Sequence, residues 1–137
     1  MTRKQSVSVV VFDPGDRNRI LVVQRPADDG DLPNVWGLPA SSLRPGESFE
    51  EAVVRTGREK LGVELRVVRE LNRGTTSRRD HTLEMRLYEA VISHGEVRVP
   101  QSHEGVTQYQ RWMWDTAERL RAGAEAGSLC CGLMLGV

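Results

Sequence analysis

Residues 36–63, which read WGLPASSLRPGESFEEAVVRTGREKLGV, carry the strongest structural signal in this chain. Ser48 and Glu51 match a capping box, in which the serine side chain accepts a hydrogen bond from the backbone N–H of Glu51 and the glutamate side chain reaches back. Apolar residues follow at helical spacing, and Gly62 stands where a left-handed C-terminal cap is expected. The spacing therefore predicts a helix over residues 48–61.

Gly57 lies in the interior of this predicted helix. A glycine at such a position costs about 1 kcal/mol relative to alanine. It indicates either that another group approaches the helix backbone closely or that the helix simply tolerates the cost.

Short apolar or alternating runs on both sides of the helix are typical of strands. The patterns predict strands over residues 6–12, 20–24, 63–71, 82–92, 96–99 and 108–114, with polar loops over 26–34 and 72–80. The second strand is expected to pair back on the first as a hairpin, and the tail from Ala117 onward is expected to be helical. Strands on both sides of a capped helix indicate an α/β or α+β layered domain.

The composition is that of an ordinary globular protein. The 137 residues (15.4 kDa) are 39% apolar and 28% charged, which predicts a single domain over residues 1–137. Lys plus Arg and Asp plus Glu are both 19, so the net charge is zero. This balance argues against general nucleic-acid binding, although it is compatible with one charged ligand at a local site.

The sequence also bears on location and assembly. No apolar run approaches the roughly 20 residues that cross a bilayer, and the N-terminus has no secretory pattern, so membrane association is not expected. The only cysteines, Cys130 and Cys131, are adjacent and make a poor structural disulfide, which favours a reducing cytoplasm. The apolar tail around them packs either on its own sheet or on a second subunit, which leaves a homodimer open.

The loop over residues 40–47 leads directly into the N-terminus of the predicted helix. Free backbone N–H groups and the helix dipole both favour an anion at such a place, so the loop suits phosphate binding. Many loops lead into helices and bind nothing, however, and the local features alone do not separate these two interpretations.

The same stretch resembles the signature of the Nudix family. That signature runs Gly, five residues, Glu, seven residues, Arg-Glu, an apolar residue, any residue, Glu-Glu, any residue, Gly and a final apolar residue. Aligned on Glu47, Arg55, Glu59, Gly62 and Val63, the spacing fits without a gap.

The resemblance extends over most of residues 5–115. It implies a Nudix-like α/β/α sandwich, with a mixed β-sheet flanked by helices. It also implies MutT-like activity, the metal-dependent hydrolysis of a nucleoside diphosphate linked to another moiety, so the implied ligand is a small nucleotide or another diphosphate. In the family, carboxylates on the helix hold Mg²⁺ or Mn²⁺, which neutralises the diphosphate and activates the attacking water. Substrate choice is implied to depend on loops outside the signature, here chiefly residues 26–34, 72–80 and 101–108.

Carried onto this chain, the resemblance assigns roles to particular residues. Glu59 and Glu104 would be the metal-binding and catalytic carboxylates. Outside the resemblance, Arg25 is a candidate for contact with substrate phosphate because it ends a strand near the motif, and Lys60 is a candidate because it replaces a motif carboxylate with a cation. The structural part of the motif is implied to consist of Glu47, Arg55 and Gly62, with Glu47 paired to Arg55.

The chain departs from the signature at four positions. Thr56 and Lys60 replace two of the three helix carboxylates, Ser41 replaces the leading glycine and Gly57 replaces an apolar residue. Two anionic ligands are therefore absent, and one position carries a cation that would repel a divalent ion beside Glu59. These departures motivate an alternative, namely a catalytically impaired nucleotide-binding or regulatory module with a Nudix fold.

Overall fold

The computed structural model describes residues 2–137. Its strands are β1 (Thr2–Val10), β2 (Phe12–Asp13), β3 (Asp16–Gln24), β4 (Trp36–Gly37), β5 (Ala40–Ser42), β6 (Glu64–Ser77), β7 (His81–His94) and β8 (Arg111–Asp115). Its helices are α1 (Phe49–Thr56), α2 (Arg121–Glu125) and α3 (Leu129–Leu135), with a π-helical turn at Gly57–Leu61 and a 3₁₀ turn at Ala117–Leu120.

The strands form two sheets. The first has the order β5-β1-β7-β6, in which β1 and β7 run parallel and the other neighbours run antiparallel. The second is antiparallel and is centred on β3, which pairs with β2, β4 and β8. The predicted hairpin between the first two apolar runs is present only near its turn, where β2 pairs with β3, because β1 pairs with β5 and β7 in the first sheet.

Buried apolar residues lie in two clusters. One contains side chains of α1 together with Val7, Val9 and Leu21. The other contains Val10, Val22 and residues of α3. Because successive side chains of a strand point to opposite faces, β1 and β3 supply both clusters. The α1 helix therefore lies on one side of the strands and the C-terminal helices on the other, which confirms the predicted α/β class with a mixed sheet flanked by helices.

The predicted helix is present, with the predicted start and stop. Ser48 Oγ accepts from the Glu51 N–H at 3.0 Å, and Glu51 Oε1 accepts from the Ser48 N–H at 2.9 Å. The helix ends at Gly62, which has a φ of 73°. Its last turn is wider than an α-helical turn, and the Val63 N–H reaches Gly57 O at 3.0 Å. This wide turn begins at Gly57, where the chain approaches a neighbouring strand.

Gly57 is explained by close packing against Leu65 on β6. A Cβ at this position would lie 2.6 Å from Leu65 Cγ and 3.0 Å from Val63 O. The structure thus supports the first of the two interpretations of this glycine, that another group approaches the helix backbone.

Changing Gly57 to alanine is expected to lower the free energy of unfolding by about 2 kcal/mol, the typical cost of overpacking a filled core. Chemical denaturation measures the effect. Gly30→Ala is the control, since a Cβ added there would meet nothing within 4 Å beyond its chain neighbours. In a Leu65→Ala background the cost of Gly57→Ala should shrink. An equal cost in both backgrounds would contradict the packing explanation.

Two predicted elements are wrong. Residues 72–77 belong to β6 rather than to a loop, because they pair with β7. The register of that pair is interrupted three times, after Glu64, after Val67 and after Glu70. Their polar side chains are compatible with an edge strand, one side of which faces water. Residues 96–99 form no strand; Arg98 instead donates its backbone N–H to Leu61 O at 2.9 Å, which ties this segment to the end of the helix.

The tail is helical, as predicted, and packs on the protein's own strands. Leu120, Cys130 and Cys131 are buried beside Val22 and Leu87. This packing covers the apolar tail within one chain, and a homodimer stays a prediction. Within residues 2–137, no helix combines the length and the apolar character needed to span a membrane.

Candidate anion-binding site

An ion pair between the loop and the helix organises the signature segment. Arg55 donates through Nε to Glu47 Oε2 at 2.7 Å and through its terminal nitrogen to Glu47 Oε1 at 2.9 Å. The same guanidinium donates to Ser42 O at 2.8 Å. The Arg55 guanidinium holds the pKa of Glu47 below its usual range, and Glu47 in turn raises the pKa of Arg55. The loop and the helix are therefore joined at a mostly buried charge pair.

Glu59 is held by two guanidinium groups. Arg44 donates to both of its carboxylate oxygens, at 2.9 and 3.1 Å. Arg55 approaches Glu59 Oε1 at 3.4 Å. The carboxylate thus has its charge compensated by arginines, and it lines an open groove along α1 that also includes His103.

Thr56 and Ser41, two of the departures from the signature, contact each other. Thr56 is fully buried, and its Oγ1 lies 2.8 Å from Ser41 Oγ and 2.7 Å from Ala52 O. The two hydroxyl groups satisfy each other and fill the space between α1 and β5. This position therefore carries no charge and has no opening to solvent.

Lys60 follows Glu59 in the sequence but has a different partner. Its Nζ donates to Ala40 O at 2.6 Å and lies 5.3 Å from the centre of the Tyr109 ring. Burial, followed by the nearby charges of Arg25 and Arg55, lowers the pKa of Lys60 to about 8, while Glu59 acts in the other direction. At neutral pH most of this buried ammonium remains protonated.

These residues do not fit a divalent cation. Hard cations take several oxygen ligands, preferably from carboxylates. Here Thr56 is neutral and enclosed, Glu59 is bound by arginines, and the Lys60 ammonium already occupies the carbonyl of Ala40. In the part of the chain from residue 2 to 137, no three His, Cys, Asp or Glu side chains are grouped so as to hold a metal ion.

A cavity of about 650 Å³ opens beside Lys60, where the two sheets meet. That volume lies within the range of small-molecule sites. Its walls include residues from each of the three segments on which substrate choice is implied to depend: Leu32, Arg79 and Thr107. The cavity is cationic overall, with Lys4, Arg25, Lys60, Arg78 and Arg79 against Asp31 and Asp80.

The structure brings some of the implied site residues together and separates others. Arg25 and Lys60 both line the cavity, but Arg25 is paired with Asp29 at 2.8 Å. Glu104 lies in an exposed turn, and no hydrogen bond or ion pair joins it to Glu59. The assignment of Glu59 and Glu104 as shared metal ligands stays a prediction.

Sequence reasoning missed two residues that shape the cavity. Tyr109 is buried, and its hydroxyl accepts from the Ala40 N–H at 2.9 Å, which places its ring under Lys60. Lys4 lines the cavity from β1. The alternation of Lys4 with Ser6 and Ser8 was a usable signal, because residues two apart on a strand share a face.

The comparisons with known proteins agree with this fold. The family model described as the NUDIX domain matches residues 2–128. The solution structure of the E. coli ORF135 protein is 24% identical, with coverage of 99% of this chain and 91% of that chain and a TM-score of 0.70. A MutT NUDIX hydrolase from Burkholderia pseudomallei is 21% identical, with 86% of each chain covered and a TM-score of 0.68.

A MutT protein from Methanosarcina mazei Go1 is 16% identical over 88% of this chain and 82% of that chain, with a TM-score of 0.70. At these identities the likeness to the solved structures establishes the fold alone. A comparison with curated proteins found no match.

Proposed function

This chain belongs to the NUDIX domain family, and from that premise we propose that it binds a small nucleotide or another diphosphate in its cationic cavity without needing a divalent metal. In this proposal the protein is a Nudix-fold binding module rather than a competent hydrolase. The family generally uses a divalent metal, whereas the side chains of this chain supply a fixed cation at the corresponding part of the helix.

The observation that carries the proposal is the position of the Lys60 ammonium. It lies at the wall of the cavity, bonded to Ala40 O, at a motif position where the family has a carboxylate. An ammonium group has three donors, so one bond to Ala40 leaves two for a ligand. In a mostly buried site these charge-assisted hydrogen bonds are stronger than they would be in water.

Metal-dependent hydrolysis of a nucleoside diphosphate linked to another moiety is the second candidate. The intact pair of Glu47 with Arg55, and the presence of Glu59 at its motif position, favour it. It requires that Glu59 leave its two arginines and that a second ligand, for which Glu104 is the proposed residue, approach it.

Calorimetric titration separates the two functions. We expect ADP and inorganic pyrophosphate to bind in the presence of EDTA, with affinities that millimolar Mg²⁺ does not improve. Lys60→Met should weaken binding of both by about 10- to 100-fold, the loss of a charge-assisted hydrogen bond. Arg58→Met is the control, because Arg58 lies in the same turn but pairs with Glu64 at the surface.

The opposite outcome is equally clear. Binding that appears only with Mg²⁺ or Mn²⁺, or release of phosphate or nucleoside monophosphate from a nucleotide diphosphate derivative, would support the hydrolase and contradict the proposal. Circular dichroism of Lys60→Met checks that the variant is folded.

A further inference from the structure

The floor of the cavity is one face of the first sheet. Lys4 and Ser6 on β1 line it, together with Leu83 and Met85, their partners on β7. Further along the same strand, Ser8 is the partner of Ala40, whose carbonyl holds Lys60. The cavity therefore follows β1 from Lys4 toward Ala40, with an outer end at Lys4 and an inner end at Lys60.

The outer end carries its own set of cations. Arg78 and Arg79 lie in the turn between β6 and β7 and line the cavity beside Lys4. Within residues 2–137, neither Lys4 nor Arg79 forms an ion pair with a carboxylate, and the Arg78 guanidinium hydrogen-bonds only to Gly127 O, at 3.3 Å. These three side chains thus keep positive charge that no acidic group neutralises directly.

Two carboxylates line the cavity as well and offset part of this charge, but they stand against three cations. Asp80 is 2.6 Å from His81 Nδ1, and His81 together with the charge of Lys4 lowers the pKa of Asp80, so this carboxylate stays charged. Asp31 lies in the loop before β4, where its N–H is bonded to Asp29. The outer end therefore retains a net positive character.

The two cationic ends are well separated. The backbone positions of Lys4 and of Ser8, the partner of Ala40, are four residues apart on one strand, which corresponds to roughly 13 Å at about 3.3 Å per residue. Between them the cavity presents uncharged side chains, namely those of Ser6, Leu38 and Met85. A single phosphate or diphosphate does not span this distance.

We infer that Lys4, Arg78 and Arg79 form a second anion subsite, so that the ligand of this cavity is a molecule with anionic groups at both ends. One end carries the phosphate or diphosphate that Lys60 receives. The other carries a second phosphate or carboxylate beyond an uncharged middle, toward backbone positions roughly 13 Å further along β1. This inference rests on the proposed binding function and narrows its ligand class to nucleotide derivatives or other diphosphates with an anionic far end.

A pair of simple probes tests the second subsite. Octane-1,8-diyl bisphosphate has two phosphates on a flexible apolar spacer of suitable length, and octyl monophosphate has one. With EDTA present, we expect the protein to bind the bisphosphate about tenfold more tightly than the monophosphate, as two partly exposed ion pairs would give. The preference should fall as salt is added.

Variants identify the residues responsible. Lys4→Met with Arg79→Met should abolish the preference and leave monophosphate affinity within about twofold of the parent, because the Lys60 end is untouched. Arg3→Met with Arg98→Met is the control: it removes two positive charges from exposed residues that do not line the cavity, and it should keep the preference. The control therefore distinguishes binding at a local site from a general effect of the protein's positive charge.

Three results would count against the inference in different ways. Equal affinity of the parent for both probes, while pyrophosphate still binds, would overturn the second subsite and leave the proposed function intact. A preference that survives in Lys4→Met with Arg79→Met would overturn the assignment of these residues. Failure of both probes and of pyrophosphate to bind would overturn the proposed function and the inference together.

Discussion

Arg55→Met is expected to lower the free energy of unfolding by about 3 kcal/mol, the lower end of the range for breaking a buried ion pair. The guanidinium of Arg55 holds Glu47 and contacts Glu59, and all three side chains are between 13% and 17% exposed. Its removal leaves the Glu47 carboxylate without its guanidinium partner in a partly desolvated place, while Glu59 keeps Arg44. Denaturant unfolding at neutral pH measures the loss.

The pair Arg58–Glu64 provides a matched control. It has similar geometry, with 2.7 Å between Arg58 and Glu64 Oε1, but both side chains are largely exposed. Arg58→Met should therefore unfold near the parent midpoint, since solvent screens exposed pairs. Equal losses from Arg55→Met and Arg58→Met would show that burial of the Glu47 pair contributes nothing.

The same pair sets the expected response to acid. Because Arg55 lowers the pKa of Glu47 in the folded state, the unfolded state binds a proton at a higher pH than the folded state does. The stabilisation is therefore present above the ordinary glutamate pKa of 4.5 and is lost as the pH falls through the lowered folded value. In Arg55→Met, the free energy of unfolding should no longer show the decrease with falling pH that Glu47 contributes in the parent.

Restoring only the two missing carboxylates is expected to damage the protein. Thr56→Glu places a larger, charged side chain where Thr56 is fully buried and bonded to Ser41. We expect a loss of about 3 kcal/mol or more from overpacking and from burial of an unpaired charge. The double variant Thr56→Glu with Lys60→Glu should therefore have a melting temperature well below that of the parent. Adding Mn²⁺ should not change that temperature.

Adding Ser41→Gly to that pair of changes should recover part of the loss. Ser41 is the residue that fills the space next to Thr56, and the family signature has glycine there. With three helix carboxylates and this space open, Mn²⁺ is expected to raise the melting temperature of the triple variant but not that of the parent. If the variant without Ser41→Gly is as stable as the parent and responds to Mn²⁺, the contact between Thr56 and Ser41 does not block the site.

Features encoded at short, fixed sequence offsets were predictable. The capping box of Ser48 and Glu51 and the left-handed Gly62 follow from spacing within one loop and one helix, whereas the pairing of Glu47 with Arg55 was implied by the family resemblance. Such contacts depend on local backbone geometry, which the motif specifies. The family fold follows from the same segment.

Prediction failed where the outcome depended on partners far along the chain. The polar residues after Asn72 have the composition of a loop, but β7 supplies backbone partners that make them a strand. Residues 96–99 have the composition of a strand, but they lie beyond the end of β7 and pair with no strand. Pattern and propensity are overridden in both cases by the available tertiary hydrogen bonds.

The sequence by itself determined that this is a Nudix-type fold with a capped helix, an intact Glu47–Arg55 pair and a helix end that has lost two acidic side chains. Tertiary structure alone decided that Arg44 binds Glu59, that Thr56 is enclosed by Ser41, and that Lys60 and Lys4 lie along one cavity. The reason is physical: helix spacing fixes where a side chain starts, whereas its partner is chosen by whichever distant strand or loop the folded chain brings within a few ångströms.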